Sequence, residues 1–199
     1  MPPWVRSPEG TLPGIVALEL VLARTDRVAV CVAQIAAYPS GFELELTTMA
    51  GDDARDCDPM LFGPHHHRGP CRPGAAIPSE MLRFGVQFAD GAKATNTGAR
   101  FRGPRDDPEG PVMHAGGGGG GGASWRQALW VWPLPPAGSL ALVCEWPAAG
   151  IAVTRHEIDA RLILDAAKRA VIIFSDEHLP DPPRPRRQSP GGPGTPGSI

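Results

Sequence analysis

"DRVAVCVAQIAAYPSGFELELTTM" (Asp26–Met49) decides the fold. Val28, Val30 and Val32 alternate ahead of "YPSG", and Phe42, Leu44 and Leu46 alternate behind it against Glu43 and Glu45. A period of two puts the apolar side chains of a strand on one face and the polar ones on the other. Between the runs, Pro39 presets φ and Gly41 tolerates a positive φ, so the stretch predicts an antiparallel hairpin with one buried face.

The same period extends in both directions. Upstream, "IVALELVLART" sets Val16, Leu18, Leu20 and Leu22 on one face. Downstream, "MLRFGVQFADGAKATN" alternates Leu82, Phe84, Val86 and Phe88 before Asp90-Gly91, which predicts a type I′ hairpin turn. "RQALWVW" and "SLALVCEW" add two strands joined by the rigid "PLPPAG". Residues 50–80 and 97–124 are rich in breakers and read as two long loop insertions. The second contains seven consecutive glycines, Gly116–Gly122. No Lys-Ser/Thr ending follows them and what comes next reads as a strand, so they form no phosphate loop and read as a flexible linker.

In "TRHEIDARLILDAAKRA", Thr154 and Glu157 have capping-box spacing, and Ile158, Leu162 and Ala166 would line one face of a helix over 154–169. A strand over "EIDARLIL" is the competing reading, because Ile158, Ala160, Leu162 and Leu164 also alternate. "VIIF" could close the sheet. The expected architecture is mainly β, an antiparallel β-sandwich of immunoglobulin-like size with one C-terminal α-helix packed on a sheet face. Residues 14–174 form this single domain, after a flexible lead (1–13) and before a disordered Pro/Gly-rich tail (175–199).

The blocks "LARTDRVAV", "AYPSGFELEL", "LRFGVQFADGAKATN" and "WVWPLPPAGSLALVCEWPAAGI" resemble a family of uncharacterised single-domain proteins from high-GC bacteria. The resemblance implies one contiguous bacterial domain and carries with it no activity, cofactor or catalytic residue.

A formal net charge of −2 and the lack of a basic stripe argue against a nucleic-acid partner. No signal-peptide run or membrane-length apolar segment is present, so a cytoplasmic protein with reduced Cys31, Cys57, Cys71 and Cys144 is expected. Cys57, His65, His66, His67 and Cys71 carry ligand chemistry suited to Zn²⁺, with His114 as a further donor. Lacking a Cys-x-x-Cys anchor, they read first as a solvated loop, and a metal-binding protein or metal-dependent hydrolase is the alternative. Cys31 and Cys144 read as small buried core residues, and His156, Glu157, Asp159 and Asp165 as a solvated helix face.

Trp130 and Trp132 share one strand face, opposite Leu129 and Val131. A strand apolar on both sides must be covered on both. The helix is the expected cover and an exposed aromatic binding face is the other reading, with Trp146 and "PLPP" at the rim in either case. The function these features favour is a non-catalytic β-sandwich that binds a protein or small ligand, with no cofactor, and compatible with oligomerisation. The tail motif "PRPRR" reads as linker first and partner-binding segment second.

Overall fold

The structure, a computed structural model, describes residues 1–51, 77–97 and 108–175. In chain order the strands are β1 (Thr11–Leu12), β2 (Gly14–Arg24), β3 (Val28–Tyr38), β4 (Gly41–Ala50), β5 (Arg83–Gln87) and β6 (Lys93–Thr95). They continue as β7 (Val112–Gly121), β8 (Ser124–Trp132), β9 (Ser139–Trp146) and β10 (Ile151–Asp159), then helix α1 (Arg161–Lys168) and β11 (Val171–Ile172). Two antiparallel sheets, ordered β2-β3-β4-β8-β7 and β10-β9-β5-β6, enclose one core, and β1 and β11 form a short ribbon. The described residues are mainly β with one α-helix, as the sequence predicts.

The core is the sum of the alternating faces. Val28, Val30, Val32, Phe42, Leu44, Leu46, Leu129 and Val131 come from the larger sheet. Leu82, Phe84, Val86, Leu140, Leu142 and Trp146 come from the smaller. The β3–β4 hairpin closes on Tyr38 and Gly41 through a two-residue loop. Gly41 is needed there for close approach rather than for positive φ, since a Cβ would lie 2.7 Å from the Trp130 ring. At Asp90-Gly91 only Gly91 has a positive φ, +88°, and its N–H bonds the Phe88 carbonyl. The β5–β6 turn is therefore a three-residue loop with a left-handed glycine, not the expected type I′ turn.

Two expectations are corrected. Residues 151–159 form β10, and the helix is confined to 161–168. Neither reading holds as drawn, since Arg161–Leu164 of "EIDARLIL" are helical; residues up to Asp159 are strand because β9 offers an unpaired edge, and β10 fills it from Thr154↔Cys144 to Asp159↔Ser139. The capping box does not form: Thr154 Oγ1 donates to the Cys144 carbonyl, and Glu157 accepts from Ser139. Asp159 accepts instead from the Arg161 N–H at the true helix start. The helix buries Ile163, Ala166 and Ala167 while Leu162 stays exposed, and it packs on β2 and β3 rather than over the tryptophans.

The glycine run is the second correction. Most of it belongs to β7, an edge strand paired with β8, not to a linker. A register shift between Ala115 and Gly118 leaves a bulge, and Gln127 fills it from β8. Gln127 is 1% exposed, and its Nε2 donates to the carbonyls of Gly116 (2.9 Å), Gly117 (3.3 Å) and Ala128 (3.0 Å). A Cβ on Gly118 would come within 2.7 Å of Gln127 Oε1, so the amide and the glycine occupy one space jointly. Gln127→Leu should lower stability by about 1–2 kcal/mol, because the bulge carbonyls lose their donor, and a denaturant titration reads the change.

Candidate functional site

The surface chemistry concentrates where β8 leaves the larger sheet. Across its outer face, Glu43, Trp130 and His114 stand in one row of paired positions, with Trp130 in the middle. At the usual strand spacing this puts Glu43 and His114 about 10 Å apart on either side of the indole, too far to act as one acid–base pair. Burial raises the Glu43 carboxyl, with the Glu45 charge adding to it, and burial lowers the His114 imidazole. Burial also raises the Tyr38 phenol, helped by Glu43 and opposed by a hydrogen bond with Ser7.

What covers this face is the leading segment, residues 1–10. Trp130 is 2% exposed and donates its indole N–H to the Pro3 carbonyl at 3.1 Å. Tyr38 meets Trp130 edge-on at 5.7 Å between ring centroids, and Trp4 meets Trp132 in the same way at 5.9 Å. The helix is therefore not the cover: a strap of the chain's own first residues takes that place. Trp146 lies elsewhere, 3% exposed on the inner face of the smaller sheet, with its N–H on the Glu80 carbonyl. The three tryptophans do not form one shelf.

Trp132 remains half-buried because its other side opens into a groove of about 500 Å³. Phe88, Leu134, Pro133 and Pro135 form its walls with Trp132, and Pro108, Pro111 and Pro136 extend them. Among the described residues Asp90 and Glu109 are the charged ones that line it, and both are exposed. Asp90 is held by the turn, with one oxygen accepting the Ala92 N–H at 2.9 Å. The sequence pointed to this rim through "WPLPP", but not to Asp90, Phe88 or Glu109, which arrive from other elements.

Cys57, His65, His66, His67 and Cys71 lie outside the described residues. Among the described residues no group of three or more His, Cys, Asp or Glu could hold a metal ion. Cys31 and Cys144 are free thiols. Burial, with the Glu145 charge beside it, pushes the Cys144 thiol up to about 12, which leaves almost no thiolate at neutral pH. Iodoacetamide at pH 8 should leave Cys144 unmodified in the native protein and label it in denaturant, as peptide mass mapping would show.

The acidic and basic residues read as a helix face are divided between two elements. His156 bridges the sheets by donating to the Leu22 carbonyl at 2.8 Å. Glu157 and Asp159 are exposed on β10, and Asp165 pairs with Lys168 on the helix. Comparison with protein-family models, curated proteins and solved structures finds no match to the chain. No helix among the described residues is long and apolar enough to cross a membrane.

Proposed function

We propose that this protein is a non-catalytic binding module whose Trp132 groove takes an extended, proline-containing segment bearing basic side chains. The observation that carries the reading is the lining itself, which among the described residues brings together an indole, a leucine and five prolines with the carboxylates of Asp90 and Glu109 as its charges. Proline-rich segments enter such grooves because they are already extended, and stacking on aromatic and proline rings needs no backbone donor from them. The proline walls are conformationally restricted, so little entropy is lost when the groove is filled. Asp90 and Glu109 supply the complement for arginine and disfavour acidic ligands. A binding rather than catalytic role is supported by the described lining, which is built mainly of apolar and proline residues. A cytoplasmic setting belongs to the same reading, supported by the unpaired thiols of Cys31 and Cys144.

A fluorescein-labelled (Pro-Pro-Arg)₃ peptide tests the groove by anisotropy. The wild-type chain should bind it, and the Asp90→Lys, Glu109→Lys double variant should bind at least about twofold more weakly, because two favourable charge contacts become repulsive. Equal affinity for both proteins would remove the acidic rim from the site and overturn the proposal.

A further inference from the structure

We propose that the groove holds a segment of this same chain, Pro182–Arg187 ("PPRPRR"), and so is self-occupied until a competing ligand displaces it. The inference rests on the groove reading above and adds the identity of its resident ligand. Arg184, Arg186 and Arg187 are the only Lys or Arg residues beyond Ser175, and they are interleaved with Pro182, Pro183 and Pro185. That is the composition the groove selects: stiff extended backbone for the indole and proline walls, cations for Asp90 and Glu109.

The reach is measured by the chain itself. Ile173 and Phe174 both donate to the Gly10 carbonyl, which ties the end of the described domain to the far end of the strap. From Gly10 the strap runs back to Trp4, whose ring lies on Trp132 at the groove wall. Those six residues span at most about 20 Å, and the seven residues from Ser175 to Pro182 can extend about 23–25 Å. Pro182 can therefore arrive beside Trp132 without any rearrangement of the sandwich. A tether of this length supplies an effective concentration of roughly 1 mM, so a segment with an intrinsic Kd near 0.1 mM would fill the groove about nine-tenths of the time.

The test is competition with full-length protein. A labelled peptide Pro-Pro-Arg-Pro-Arg-Arg is titrated into the wild-type chain and into the Arg184→Gln, Arg186→Gln, Arg187→Gln variant. Removing the resident segment should tighten peptide binding about tenfold, and adding Asp90→Lys and Glu109→Lys should abolish the gain. Equal affinity for wild type and tail variant overturns the self-docking while leaving the groove reading intact. Binding to neither protein fails the groove reading as well. A gain that disappears on dilution of the protein assigns the tail to a neighbouring molecule and overturns docking in cis.

Discussion

Trp130→Ala is expected to lower the stability of the fold by about 3–5 kcal/mol, the range found when a large buried aromatic is truncated. The indole is 2% exposed although it points away from the sandwich core, because the strap, Tyr38 and Gly41 enclose it. Truncation leaves a cavity between strap and sheet and removes the donor to the Pro3 carbonyl. The strap then keeps Trp4 on Trp132 without its neighbouring anchor, so peptide affinity at the groove should fall together with stability. Trp130→Phe separates the two contributions, since it keeps a ring against Tyr38, loses only the hydrogen bond, and should cost about 1 kcal/mol for that loss. Denaturant midpoints read both variants. A loss below about 1 kcal/mol for Trp130→Ala would mean that the strap does not close over the ring in solution.

How far the sequence led depends on whether a signal was local. Alternation in β3, β4 and β5 is a property of neighbouring residues, and the inner faces it predicts are the ones buried, while in β2 Leu22 is buried and Val16, Leu18 and Leu20 pack partly buried against the core. The same logic showed that β8, apolar on both sides at Leu129 to Trp132, needed covering twice. It could not say by what, because the cover comes from Pro3 and Trp4, well over a hundred residues away and embedded in "MPPWVRSPEG", whose prolines and charges look like solvated lead. Periodicity carries no information about such a pairing. Residues 154–169 failed for a related reason: a helix fitted all of them and a strand fitted 157–164, and the free edge of β9 divides the segment at Asp159 instead.

The glycine run shows a different limit. Intrinsic preference places glycine outside strands, yet preference is a weak term once a neighbouring strand supplies a ladder. β8 supplies it, and the inward side of β7 then requires the missing side chains, since a Cβ on Gly120 would overlap the Ser124 carbonyl. Gly119 and Gly121 point to open space, so the alternation that the composition concealed reappears as a steric one. Gln127 has as partners the bulge carbonyls of Gly116 and Gly117, which no sequence pattern marks.

Gly14→Ala should be the second most damaging single change, at about 2–3 kcal/mol, and it tests where the helix sits. Gly14 opens β2 opposite Ala37, and a Cβ there would overlap the carbonyl oxygen of Ala166. That oxygen belongs to the backbone of α1 and accepts the Arg169 N–H, so it cannot swing aside as a side-chain end could. Relief requires moving the helix, and with it Ile163 and Ala166, which are fully buried against the core. Overpacking a rigid contact of this kind sits at the upper end of the usual penalty of about 1–3 kcal/mol. Gly119→Ala is the matched control, where a Cβ meets nothing within 4 Å. Removing the entropic cost of a strand glycine there should gain about 0.5 kcal/mol or leave stability unchanged. Opposite signs for the two alanines would place α1 against the start of β2, whereas a harmless Gly14→Ala would detach the helix from that strand and reopen what closes this end of the sandwich.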